Sequence, residues 1–278
     1  EPASTYRVIN CGGVIGMGEG VEVNNCVNKV NVTVKQLASL ASTVALNPGI
    51  GGVIGRTDAA TLADTSTVTC TITDCVNCGE VKYNDNAETF IYRPFIGGVV
   101  GSCAEISTTI VTDCTNYGEV SMNALTYGAK GANAALGISG VIGGSWAAQA
   151  YRCNNHAAIT ADGTFKSIAI GGVLGFSSAI VLEDSHNFGA ITIKESAKIL
   201  GVMAGGLAGA IYDANGTGHT DNCTNNAPVK ILGSTMENPT AGYFYYRIGG
   251  LTSFCRHAIT NCTNNAGGDV LTSGNLVN

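Results

Sequence analysis

Residues 96–122 read IGGVVGSCAEISTTIVTDCTNYGEVSM, and this stretch decides the fold. It opens on a glycine doublet set among β-branched residues, Ile96-Gly97-Gly98-Val99-Val100-Gly101. It closes on Asp113-Cys114-Thr115-Asn116, after which the apolar Val120 and Met122 alternate with polar neighbours. Alternation with period two marks a strand with one buried face. The polar pair Thr112-Asp113 ahead of the cysteine marks a corner.

Working outward, the unit recurs along the chain. The doublet returns as CGGVIG at 11–16, IGGVIG at 50–55, ISGVIG at 138–143, IGGVLG at 170–175, AGGLAG at 204–209 and IGGLTS at 248–253. The second element returns as NCVN at 25–28, DCVN at 74–77, RCNN at 152–155, DSHN at 184–187, NCTN at 222–225 and NCTN at 261–264. Cysteine fills its column except at Ser185, and asparagine fills its own in every copy. Six residues after the cysteine column stand Val32, Val81, Val120, Ile159, Ile191, Val229 and Gly268.

Successive doublets lie from 32 residues (Gly140 to Gly172) to 46 residues (Gly52 to Gly98) apart. That is room for three short strands and their turns, roughly one circuit of a solenoid. A single copy cannot bury its own apolar face, so copies must stack. The expectation is an all-β, parallel β-helix-like solenoid of seven repeats, one domain over residues 1–278. The longer spacings hold insertions. In Val34 to Asn47, the spacing of Leu37, Leu40 and Val44 ahead of Pro48 predicts a short surface helix. Residues 123–137 and 233–246 are the other large excursions, and inserted loops on a rigid scaffold are where recognition concentrates.

Composition agrees with this reading. Charged residues are 12% against an ordinary ~25%, with 38 glycines and 5 prolines, which suits tightly turning β-structure. A net charge of −6 lacks the clustered basic excess of nucleic-acid binders, so no nucleic acid is expected. No apolar run is long enough for a membrane-spanning helix, and a soluble protein is expected. The sequence begins at Glu1 without a charged-then-apolar leader, so any signal peptide is expected to have been removed.

Several residue sets invite a chemical reading. Of 11 cysteines, six share one column, where buried free thiols act as small hydrophobes and a reduced ladder is expected. Cys75 and Cys78 form a CxxC, but Cys78 shares its column with Lys29, Tyr117, His156 and Phe188, so no metal site is expected there. The asparagine row is read as a structural ladder, and the Asp or Asn ahead of each cysteine as a turn residue rather than a calcium ligand. The four histidines fall in unrelated columns and no nucleophile elbow, phosphate loop or HExxH occurs, so neither a catalytic residue nor a cofactor is expected. The most suggestive departure from the repeat is aromatic. FIYRPF at 90–95 and YFYYR at 243–247 each place aromatic rings beside a cation just before a doublet. Exposed aromatics of this kind stack on sugar rings or anchor protein partners. The candidate ligand-binding residues are therefore Tyr92, Arg93, Tyr243, Tyr245, Tyr246 and Arg247.

The glycine doublet and Cys-x-Asn pattern, from Cys11 to about Val270, resembles the GLUG repeats of large bacterial surface proteins, adhesin-like proteins of the Bacteroidetes type among them. The resemblance implies an extracellular β-solenoid, secreted or on the bacterial outer surface, used in adhesion or as a spacer. The expected function is a non-catalytic binding module for a glycan or a host surface protein. Two alternatives remain: a passive stalk or self-associating surface subunit, and a polysaccharide-active enzyme. The last requires a groove holding clustered carboxylates with a cation.

Overall fold

The computed structural model describes residues 10–36, 48–61, 67–85, 94–103, 109–124, 136–165, 167–213, 215–235, 246–265 and 267–272. The third circuit shows the plan. Its strands are Phe95–Gly97, Val100–Cys103, Thr109–Thr112, Thr115–Asn116 and Val120–Ala124. Each belongs to a different parallel sheet, named I to V in that order, and each sheet takes one strand from every one of seven circuits. Sheet V is extended by Lys198–Ile199 and Ser234–Thr235. A short antiparallel pair, Ala60–Thr61 with Thr67–Val68, stands outside the coil. The chain is a β-solenoid of seven coils.

Register follows the sequence columns. In sheet I, Ile96 pairs with Ile50 on one side and Ile138 on the other. In sheet V, Val120 pairs with Val81 and Ile159. The Thr115 amide donates to the Cys75 carbonyl at 2.9 Å, so the cysteine column is continuous from coil to coil.

Five strands per circuit replace the expected three because two columns break the chain locally. The residue before the cysteine column adopts the left-handed conformation in all seven coils, with φ from 49° at Asp184 to 55° at Asp113. Asn and Asp tolerate that region best, which accounts for six of the seven; Arg152 is the exception. This corner separates sheet III from sheet IV. The doublet separates sheet I from sheet II.

The second glycine of each doublet has a steric cause. A Cβ on Gly98 would lie 2.3 Å from Asn116 Cγ and 2.1 Å from the Gly140 carbonyl oxygen. The asparagine side chain thus crosses the coil to fill the space a side chain would need. Each central asparagine is also fully satisfied. Asn116 Nδ2 donates to Gly118 O at 2.9 Å and to Asn155 Oδ1 at 2.9 Å, while its Oδ1 accepts from Gly118 N at 3.2 Å and from Asn77 Nδ2 at 2.8 Å. The ladder runs unbroken from Asn28 to Asn264.

This asparagine–glycine spine divides the interior. One apolar cluster joins sheets I and V through Ile96, Ile138, Val120 and Ile159. The other joins sheets II and III to the cysteine corner through Val100, Val111, Cys75 and Cys114.

The predicted helix starts at Val34, but Val34 to Gln36 end a strand of sheet V, and residues 37–47 lie outside the described residues. No helix among the described residues is long and apolar enough to cross a membrane.

Candidate functional site

Of the six residues expected to bind ligand, Tyr92, Arg93, Tyr243 and Tyr245 lie outside the described residues. Tyr246 is 36% exposed, and its hydroxyl donates to the Ile199 carbonyl at 2.8 Å. Arg247 lies over the Phe254 ring at 4.4 Å. That cation–ring contact ends a row of aromatics outside the apolar lumen. Phe95 packs edge-on against Trp146 (5.4 Å) and stacks with Phe176 (6.2 Å), which is followed by Tyr212 (5.5 Å) and Phe254 (4.6 Å). The row is largely covered: Phe95 is buried, and the others are half-buried. Its aromatic faces are spent on one another.

A second ring stack is exposed. Tyr117, His156 and Phe188, one per coil, are nearly parallel at 4.9 and 4.7 Å. They occupy the column of Cys78, which explains why that column holds flat side chains in these three coils: stacked strands bring them face to face.

The surface richest in recognition chemistry is the outer face of sheet V in coils two to four. Its outward positions alternate with the buried Val81, Tyr83, Val120 and Met122. In register across the sheet stand Lys82, Ser121 and Thr160, and beside them Asn84, Asn123 and Asp162. With Glu80, Glu119 and Lys194 they line a concave polar groove. Three carboxylates face two ammonium groups there.

The local contacts leave hydrogen-bonding capacity unused. Lys82 Nζ lies 3.6 Å from Glu80 Oε1, and Thr160 Oγ1 donates to Glu119 Oε1 at 3.2 Å. Asp162 Oδ1 accepts from the Gly163 amide at 2.7 Å and from Ser196 Oγ at 2.6 Å. Ser121 Oγ is buried without any partner. A shielded hydroxyl left unpaired costs free energy, and such groups call for an explanation. The strands Val32–Gln36, Val81–Asp85 and Val120–Ala124, after which the described residues break off, all belong to sheet V.

Sequence reading missed the groove because it scored the post-asparagine strand for its inward residues. The outward phase of the same alternation carried the signal: Glu80 and Glu119 share a column, as do Asn84 and Asn123. Among the described residues, no group of three or more His, Cys, Asp or Glu side chains is arranged to hold a metal ion. Asp113, a calcium candidate by column, is instead gripped by Arg152 through bonds of 2.7 and 2.8 Å, which hold its pKa below the usual carboxylate value.

One buried polar cluster also departs from the repeat. Asp213 and Thr220 of coil six meet His257 of coil seven. His257 Nε2 and Thr220 Oγ1 are 2.8 Å apart, and His257 Nδ1 is 3.8 Å from Asp213 Oδ2. Both ionisable side chains are sealed from solvent, at 0% and 1% exposure. Burial pushes the His257 pKa down. Burial pushes Asp213 the other way, but the backbone amides of residues 215 to 218 together outweigh it and bring the net shift below the usual value.

No protein family, curated protein or solved structure matches the chain.

Proposed function

We propose that this chain is a non-catalytic binding module of a bacterial cell surface, and that its sheet V groove holds an extended glycan. The observation that carries the reading is the groove itself, with carboxylates, amides, hydroxyls and ammonium groups in register on consecutive coils and the Ser121 hydroxyl unpaired. Sugar hydroxyls donate and accept at once, so planar carboxylates and amides are suited to them. The repeat supplies such groups at every ~4.8 Å step, a geometry for a polymer rather than a compact ligand. The excess of carboxylate over ammonium favours an uncharged glycan over a polyanion. The resemblance to GLUG repeats supports the extracellular setting.

The test is a glycan array followed by titration of the best ligand. Asn123→Ala and Lys82→Ala each remove a groove group without touching the lumen, and each is expected to weaken binding about tenfold, the effect of losing roughly 1.4 kcal/mol. Unchanged affinity in both variants would move the binding site elsewhere. Absence of binding to any glycan would favour the stalk, a reading supported by the tie of Tyr246 to Ile199 and the packing of Arg247 on Phe254.

The enzyme alternative also has an observation in its favour, since Glu119, Asp162 and Lys194 share the groove. Turnover of a bound polysaccharide that disappears in Glu119→Gln or Asp162→Asn would establish it in place of simple binding.

A further inference from the structure

We propose that the cysteine column is a binding site for soft, two-coordinate cations of the Cu(I) class, one bridged by Cys26 and Cys75 at the first coil and one by Cys223 and Cys262 at the last. All eleven cysteines are free. Ser185 interrupts the column, leaving an unbroken run Cys26, Cys75, Cys114, Cys153 and a separate pair Cys223, Cys262. Within these groups neighbouring cysteines are stacked in register, next to the paired Val27 and Val76 at the first coil and the paired Thr224 and Thr263 at the last, and the Cys223 amide donates to Cys262 Sγ at 3.4 Å.

Spacing selects the ligand. Adjacent strands lie ~4.8 Å apart. A disulfide needs its Cβ atoms about 3.5–4.5 Å apart, so closing one between stacked coils means pulling the backbone together. Two metal–thiolate bonds laid end to end, each roughly the 2.3 Å of zinc–thiolate or a little shorter, span about 4.3–4.6 Å, near the rise of the coil. Thiolates prefer soft ions, Cu(I) foremost. Ions that demand three or four ligands find no such cage among the described residues.

Access selects the two end pairs. Cys75 and Cys223 are fully buried, but their partners Cys26 and Cys262 are half-buried in the terminal coils and reach solvent. A cation bound to two thiolates leaves one net negative charge, which the terminal position leaves within reach of solvent screening. Cys114 and Cys153 have no such relief, and burial pushes the Cys153 thiol up to about 12.

Binding transfers no electrons. Each of the two thiols releases its proton to solvent as its sulfur takes up the metal, and the bonds from Cys75 Sγ to Thr73 O (3.3 Å) and from Cys26 Sγ to Asn24 O (3.4 Å) are given up.

The experiment uses the reduced chain under anaerobic conditions, with Cu(I) supplied from a Cu(I)-selective chelator and retained metal counted after desalting. The expected result is at least two ions per chain with a near-ultraviolet thiolate-to-metal absorption. The double variant Cys75→Ser/Cys223→Ser should retain two fewer, while Cys78→Ser, which removes an exposed thiol, should retain them all. Serine already occupies this column at position 185, so the double variant is expected to fold. Alkylation of the wild-type chain gives a second measurement: Cu(I) should protect Cys26 and Cys262 and leave Cys78 reactive. No retained metal, retention unaffected by the double variant, loss on Cys78→Ser, or equal labelling of Cys26 with and without metal would each overturn the proposal.

Discussion

Asn116 makes four hydrogen bonds with its two donor hydrogens and one carbonyl oxygen, and it does so where Gly98 leaves room for it. The consequence is that neither column can change alone. Asn116→Ala strands the Asn77 amide and the Asn155 carbonyl in the interior, and a loss of about 3 kcal/mol is expected on the scale of 1–3 kcal/mol per unsatisfied buried group. Urea unfolding followed by circular dichroism measures it; a loss under 1 kcal/mol would mean the ladder is dispensable. Gly98→Ala is expected to destabilise to a similar degree, about 1–3 kcal/mol or more, because the contact it meets is backbone as well as side chain. Both columns were legible in the sequence. Their mutual dependence was not, since Gly98 and Asn116 are separated by a full set of corners whose angles no local pattern specifies.

At the scale of the element, sheet V shows why half of a strand reads more easily than the other half. Val81, Val120 and Ile159 announce a core because apolar side chains have one favourable place to go. Lys82, Ser121 and Thr160 on the opposite face are compatible with any solvated surface, and only curvature turns them into a groove. The short strand of sheet IV was equally hidden. A residue with φ near 52° at Asp74 and Arg152 ends one strand and begins the next, and the sequence shows the residue type but not the dihedral. The aromatic segments teach the converse lesson. Aromatic–basic pairing suggested a ligand edge, of which the described residues hold only Tyr246 and Arg247, and there Arg247 lies over Phe254 and the Tyr246 hydroxyl donates to Ile199.

At the scale of the molecule, the two ends differ. The inward Val23 of the first coil is 3% exposed, whereas its counterpart Ile259 in the last is 39% exposed. Solenoids gain stability from neighbour contacts, so the less covered coil opens more readily. Amide hydrogen exchange is expected to be fastest in strands of residues 246–272 and slowest in 136–171; uniform protection would contradict this. Acid should amplify the difference through the buried pair of coils six and seven. The folded state depresses the His257 pKa below its ordinary 6.5, so the unfolded chain binds the proton first, and stability is full above 6.5 and declines as pH falls below it. Asp213, whose pKa is also depressed, adds a second loss only as pH falls below its ordinary 3.8. His219, bonded to Glu183 at 2.6 Å, is the other titrating group close enough to oppose the His257 charge. Urea midpoints between pH 5 and 8 should slope for the wild type and flatten for His257→Gln; parallel slopes would assign the pH response to another group.

The amino-acid sequence by itself determined the repeat, the parallel all-β solenoid, the register of its columns and the stacking of the cysteine and asparagine columns. It could do so because equivalent residues of successive coils lie on top of one another, so that a column in an alignment is a column in space. Only the tertiary structure decided the number of strands per coil, the asparagine–glycine spine, the groove over sheet V and the meeting of Thr220, His257 and Asp213. Those features join residues of different columns, and the distance between columns is set by corner dihedrals and packing across the lumen, which no single repeat encodes.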